Sequence, residues 1–264
     1  MRIAVVTGAS SGMGREFVKR LNAQQHFDQI WVIARRLDRL EEIKAELGDH
    51  IRPISLDLQN EAGWNEYRRL LEEENPDVAV LVNASGYGKF AAFVDIPLDE
   101  QLGMIDLNAK SLTAMTYITL PYMKRGAQIY QIDSLSSFQP VPYIGVYGAT
   151  KAYVLSFTRA VNAEIKKSGI KMMAVCPGWV KTEFFDHAMQ TNSGEVQYFN
   201  RLYEAKDVVA TGLHDLYKTR KDYSVHGLPI KFQVLLVKVM PHWFVMNVWL
   251  NQQKKPKNNK NLTK

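Results

Sequence analysis

A tyrosine and a lysine stand four residues apart in VYGATKAYVLSF, residues 146–157. That spacing is about one helical turn, which puts Tyr147 and Lys151 on one face with their side chains in reach of each other. A phenol with an ordinary pKa near ~10 carries protons poorly at neutral pH. A unit positive charge ~4–5 Å away, at an effective dielectric of ~20, is worth roughly 4 kcal/mol, enough to lower the phenol by nearly three units. The pair is therefore a candidate acid/base unit. The plainer alternative is a half-buried tyrosine beside a solvated lysine, which is common on amphipathic helices.

A second stretch with chemical potential is TGASSGMGREF at 7–17, with glycines at 8, 12 and 14. A glycine-rich turn between a strand and a helix lets backbone amides and the helix dipole approach a pyrophosphate closely. The same glycines could also serve an ordinary turn, so their place in the fold decides between the readings.

Short β-branched runs alternate with helix-length amphipathic runs along the chain, the pattern of a parallel sheet covered by helices on both faces. Strands are expected near 3–7, 30–34, 51–56, 78–82, 128–132 and 171–176, with a last one at 222–225. Helices are expected near 13–22, 37–47, 61–74, 98–124, 147–167 and 205–217. The expected fold is α/β, a doubly wound parallel sheet of Rossmann type in a single domain with a C-terminal helical extension. Ligands of such folds sit beyond the carboxyl ends of the strands. Residues 1–228 form the nucleotide-binding and catalytic unit in this reading, 229–250 an apolar helical extension and 251–264 a lysine-rich disordered tail.

At 264 residues with 46% hydrophobic and 23% charged residues, the composition is that of an ordinary globular chain. The formal charge of +6 raises nucleic-acid binding as a reading, but residues 251–264 hold five lysines and no acid. Without them 28 basic residues face 27 acidic ones, so no nucleic-acid partner is expected. Cys176 is the sole cysteine, which excludes an intrachain disulfide or a cysteine-cluster metal site, and the six histidines lack metal-ligand spacing. The opening MRIAVVTG runs directly into a strand-like segment without a targeting pattern, so a reducing cytoplasm is the expected compartment.

The glycine spacing is T-G-x-x-x-G-x-G. Together with NASG at 83–86, SLSS at 134–137, YGATK at 147–151 and PGWVKT at 177–182, in that order, it resembles the short-chain dehydrogenase/reductase family over about residues 1–182. Ser134 lies 13 residues before Tyr147, and Asn108 lies 26 before Ser134. The resemblance implies that Tyr147 exchanges a proton with a substrate oxygen while hydride passes between the reacting carbon and a nicotinamide. It gives Ser134 the role of holding that oxygen, in preference to Ser136 or Ser137. Lys151 would bind the nicotinamide ribose and stabilise the phenolate, and Asn108 would anchor a water that relays protons.

The same resemblance places Gly8, Ser10, Ser11, Gly12, Met13 and Gly14 along the phosphate turn, and Asn83, Ala84 and Gly86 near the adenosine ribose. Ser85 stands where the family more often has alanine. Asp57 and Leu58 would meet adenine, with helix capping as the alternative for Asp57. Pro177, Gly178, Val180 and Thr182 match the segment at the nicotinamide end. Cys176 reads as a packed strand residue rather than a nucleophile. Family members that use NAD tend to carry an acid at the end of the second strand, and this chain has Arg35 and Arg36 there. Arginines at a helix N-terminus are disfavoured by its dipole, whereas a planar guanidinium suits a 2′-phosphate, so NADP(H) is the expected cofactor. Asp38 nearby leaves room for dual use.

The expected function is an NADP(H)-dependent oxidoreductase interconverting hydroxyl and carbonyl groups on a small apolar or cyclic alcohol, ketone or aldehyde, in a homo-oligomer. The alternative is a catalytically silent cofactor-binding regulator or scaffold of the same fold, which would have no need of the joint Asn, Ser, Tyr and Lys set. Phe138, Tyr143, Phe184, Phe185, Met189, Tyr198, Phe199 and Tyr203 are candidate substrate-lining residues, or else packing within a lid. In the run 229–250, Pro241 should separate two short helices. Phe232, Leu235, Leu236 and Val239 recur there at helical spacing and form an apolar stripe. Packing over the cleft or against another subunit is the expected use of that stripe. Peripheral membrane contact through Trp243, Phe244 and Trp249 with the lysine tail is the alternative.

Overall fold

The computed structural model describes residues 1–199, 201–219 and 221–254. Six strands form the body of the sheet: β1 Arg2–Thr7, β2 Gln29–Ala34, β3 Ile51–Ser55, β4 Asp77–Asn83, β5 Gln128–Ile132 and β6 Lys171–Val175. Two short strands, β7 Trp179–Val180 and β8 Leu202–Tyr203, pair with each other, and β9 Tyr223–Ser224 completes the main sheet. The seven strands lie in the order β3-β2-β1-β4-β5-β6-β9, all parallel. The order reverses between β1 and β4, which opens a crevice at their carboxyl ends.

The strand sequences are nearly continuous apolar runs because both faces are covered. In β1, Ala4 and Val6 enter one core and Ile3 and Val5 the other, following the two-residue period of a strand. Helices α1 Gly12–Gln24, α2 Leu37–Leu47 and α3 Glu61–Glu74 follow the first three strands. The side chain of Asn60 caps α3 by accepting from the Gly63 amide at 3.1 Å.

The run expected as one helix at 98–124 is interrupted. It comprises α4 Leu98–Ile105, a π-helical turn Asp106–Ser111, α5 Leu112–Thr119 and a 3-10 turn Leu120–Tyr122 containing Pro121. Such π turns are frequent at functional sites, and this one contains Asn108. The chain continues through α6 Gly145–Ile165, the short α7 Phe184–Ala188, α8 Ala205–Lys218, α9 Leu228–Val239 and α10 His242–Gln253.

Pro241 stands between α9 and α10. The stripe expected to pack is turned outward: Phe232, Leu235, Leu236 and Val239 are exposed, while Ile230, Val234 and Val237 are buried. The opposite side of α9 is the one that meets the body, because Ile230 and Val234 join the core beside β6 and α8. Residues 255–264 of the expected tail lie outside the described residues.

Candidate active site

The crevice is a cavity of about 880 Å³ at the carboxyl ends of the strands. Thr7, at the end of β1, fixes its floor: the hydroxyl accepts from the amides of Ala84 and Ser85, each at 3.1 Å, and ties β1 to the segment after β4. The glycine turn forms the wall beside it. A Cβ at Gly8, where φ is +63°, would stand 2.6 Å from the Ala84 carbonyl oxygen. A Cβ at Gly14 would stand 2.3 Å from the Gly8 carbonyl oxygen. Only glycine permits this close turn of strand into helix. Ser10, Ser11, Gly12 and Met13 line the cavity with them, as do Asp57, Leu58, Ala84 and Gly86.

At the end of β2, Arg36 and Arg35 behave differently. Arg36 donates to the Ser10 hydroxyl at 3.1 Å and to the Glu183 carboxylate at 2.8 Å, and it holds that carboxyl below its usual range. The Arg35 side chain lines the cavity with no hydrogen bond or ion pair among the described residues. Asp57 does not cap α3; its carboxylate accepts from the Gln59 amide at 3.1 Å and the Asn60 side chain at 3.3 Å, shaping the turn.

The helix α6 carries Tyr147 and Lys151 into the cavity beside Ser134, which follows β5. Ser134 caps the 3-10 turn after it, its hydroxyl accepting from the Ser136 amide at 3.2 Å. The Lys151 ammonium donates to the Ile132 carbonyl at 2.7 Å and stands 5.7 Å from the Tyr147 ring centroid. The expected lowering of the Tyr147 phenol by Lys151 is not met in this arrangement. Burial pushes the phenol up well above its ordinary value, and a hydrogen bond with Ser134 works in the opposite direction. Burial also lowers Lys151, against the attraction of Asp133.

Two expected site residues stand behind the cavity wall. Asn83 is buried, with its amide donating to Thr116 at 3.1 Å and to Gln131 at 2.9 Å. Its side chain thus joins β4 to β5 and α5, and its backbone at the end of β4 adjoins Ala84 of the cavity lining. Asn108 is buried in the π turn, where its side chain accepts from the Tyr87 amide at 3.0 Å and donates to the Tyr87 carbonyl and Thr150. It lies next to the lysine through Gly86, where a Cβ would stand 2.8 Å from Asn108 Oδ1 and 3.8 Å from Lys151 Nζ.

Pro177, Gly178, Val180 and Thr182 line the far end. Of the eight aromatic and methionine candidates, Phe184, Phe185 and Tyr198 line the cavity. The others pack elsewhere: Phe138 against Tyr223, Phe199 against Trp179, Tyr203 in the core, and Tyr143 and Met189 beside the cluster around Phe90. The remaining apolar wall comes from Val141, Ile144 and Trp179, and from Leu236, Val237, Met240, Phe244, Val245, Val248 and Trp249 of the last two helices. Trp249 holds α10 in place, its indole donating to the Pro142 carbonyl at 3.1 Å. The apolar periodicity of 229–250 was a usable signal for an element that packs, but it carried no information on which face meets the cleft.

Asp133, immediately before Ser134, was not singled out by sequence. It is buried at the cavity wall, accepts from the Cys176 thiol at 3.2 Å, and has a second oxygen without a hydrogen-bond partner among the described residues. Burial pushes its carboxyl up to about 7, against the pull of Lys151. The unfolded chain, with an ordinary carboxyl near ~3.9, loses this proton at lower pH than the folded chain does. Folding is therefore penalised increasingly as pH rises from about 4 to about 7, and the penalty is constant above that range. Asp133→Asn should accordingly gain thermal stability relative to wild type between about pH 5 and about pH 8. Melting curves at both values check this, and an unchanged difference would contradict it. Burial likewise raises the Cys176 thiol, consistent with a packed residue.

The family model described as short chain dehydrogenase matches residues 2–193. The NADP-dependent 3-hydroxy acid dehydrogenase YdfG of Escherichia coli K12 is 32% identical over 200 residues, which cover 74% of this chain and 79% of the relative. A short-chain dehydrogenase from Sphingobium yanoikuyae, solved in complex with NADPH, has a TM-score of 0.76 at 24% identity, covering 91% of this chain and 97% of that one. A short chain dehydrogenase/reductase from Burkholderia phymatum, solved in complex with NAD, has a TM-score of 0.77 at 20% identity, covering 89% and 92%. At such identities the structural likeness speaks to the fold.

Proposed function

The chain belongs to the short-chain dehydrogenase/reductase family of oxidoreductases, and from that premise we propose that it is an NADP(H)-dependent enzyme interconverting a hydroxyl and a carbonyl on an apolar substrate. The observation that carries the substrate class is the cavity lining. Its lysines and arginines are Arg35 and Arg36 at the β2 end and Lys151 beside the tyrosine, and the wall from the last two helices is mainly apolar, with Gln233 and Gln252 as its polar members and Gln139 and His187 elsewhere in the lining. A substrate carboxylate would find no cationic partner there, so the 3-hydroxy acids named for the Escherichia coli relative are not carried over.

The glycine turn supports cofactor binding, since its close backbone approach leaves amides at the α1 N-terminus facing the cavity. When bound, NADP(H) supplies or accepts the hydride. Arg35, with no hydrogen bond or ion pair on its guanidinium among the described residues, is suited to a 2′-phosphate, and Arg36 joins the adjacent wall to Glu183. Tyr147 gives the proton to the substrate oxygen in reduction and takes it in oxidation. Ser134 orients that oxygen, and Lys151 supplies positive charge beside the phenol. Burial keeps the Tyr147 phenol protonated, the form that carries the proton in carbonyl reduction, but also makes it a weaker acid, an effect that the hydrogen bond with Ser134 opposes.

We place the enzyme in a reducing cytoplasm, on its single buried cysteine. We assign the expected homo-oligomer to the exposed apolar face that includes Ile105, Tyr117 and Tyr153, which light scattering would check as a mass above that of the monomer. Loss of NADPH absorbance across a panel of apolar ketones, aldehydes and short keto acids tests the substrate class. Turnover should favour the apolar ketones, and a clear preference for keto acids would overturn it.

A further inference from the structure

We propose that the outward face of α9 and α10 docks on a lipid surface bearing anionic headgroups, and that the cleft receives its substrate from that surface. The inference rests on the reading that the cleft takes an apolar substrate. Leu228, Phe232, Leu235 and Val239 recur at helical spacing along α9 and are 80%, 61%, 60% and 74% exposed. Trp243 of α10 is 63% exposed. Their exposure does not come from detached helices. Ile230, Val234 and Val237 are buried on the other side of α9, and Lys238 donates to the Tyr223 hydroxyl at 2.9 Å. At the end of α10, the Gln253 side chain accepts from the amides of Gln197 and Tyr198 at 2.9 and 3.0 Å. A fixed apolar surface of this kind marks a contact site.

The surface is continuous with the cleft. Leu236, Met240, Phe244 and Val248 are exposed and also line the cavity, so the apolar face and the cleft share these four side chains, with Gln233 and Gln252 beside them. Charge identifies the occupant. From residue 223 to 264 the sequence has seven lysines, no arginine and no acid. On α9, Lys231 stands at one edge of the apolar stripe and Lys254 follows α10, while the Lys238 ammonium is held over the Tyr223 and Phe138 rings. A second copy seated symmetrically on this face would bring lysines against lysines, whereas anionic headgroups complement them. Among the described residues no helix is long and apolar enough to cross a membrane, which fits attachment in the plane of the surface.

Co-sedimentation of the full-length protein with phosphatidylcholine vesicles, with and without phosphatidylserine, tests the inference. The protein should pellet with the phosphatidylserine vesicles, less with phosphatidylcholine alone, and less again at high salt. The double variant Leu235→Ser with Trp243→Ser, at exposed positions that do not line the cavity, should pellet about tenfold less. Its NADPH turnover of a water-soluble ketone should stay at the wild-type level, and its KM for a ketone dissolved in the vesicles should rise. Protein that stays in the supernatant overturns the proposal. So does a dimer that the double variant dissolves while wild type ignores vesicles, because the face then belongs to a second copy. Failure of the substrate reading is distinguishable: vesicles would bind, but apolar ketones would not be reduced in either form.

Discussion

Tyr147→Phe should bind NADPH like wild type and lose turnover by roughly 10²- to 10⁴-fold, the usual contribution of a positioned general acid. The substitution removes one hydroxyl from a ring that keeps its packing: the Tyr147 ring stands 5.4 Å from that of Phe184, and a Cβ at Gly88 would lie 3.0 Å from it. The fold and the phosphate turn have no reason to change. Lys151→Ala should differ by weakening cofactor affinity as well, because its ammonium lies beside both the phenol and the segment at Gly86. Titration of NADPH by fluorescence alongside steady-state turnover separates the two. Wild-type turnover in Tyr147→Phe would remove the tyrosine from the mechanism.

Arg35→Asp should lower kcat/KM with NADPH by roughly 10- to 100-fold, the equivalent of ~1.5–3 kcal/mol for one charged hydrogen-bonding partner. Efficiency with NADH should fall less or rise, since the introduced carboxylate can meet ribose hydroxyls and repels a 2′-phosphate. Arg35 is the more informative site of the two arginines, because Arg36 is already joined to Glu183 and Ser10. Measuring both cofactors with wild type and variant decides the question. A wild type that prefers NADH would contradict the assignment of Arg35.

The sheet was legible because each strand is a short apolar run set off by turns, and its parallel pairing follows from alternating strands and helices. The ordered motifs likewise located the cavity wall, since residues that directly follow parallel strands collect at one end of the sheet. Three features were not legible. The π turn at Asp106–Ser111 leaves the apolar pattern of a helix almost intact, so a continuous helix was the simplest reading. The Arg36–Glu183 pair joins residues far apart in the chain, and nothing local announces it. The balance at Tyr147 depends on burial, which a spacing of four residues does not contain, and there it outweighs the hydrogen bond with Ser134.

Transfer of deuterium from reduced, stereospecifically labelled NADPH to an apolar ketone, followed by mass spectrometry of the alcohol, tests the proposed reaction most directly. Label should appear on the carbinol carbon with wild type and fall to trace levels with Tyr147→Phe. Bound NADPH that keeps its label across the whole ketone and aldehyde panel would contradict an active oxidoreductase and leave a cofactor-binding protein in its place.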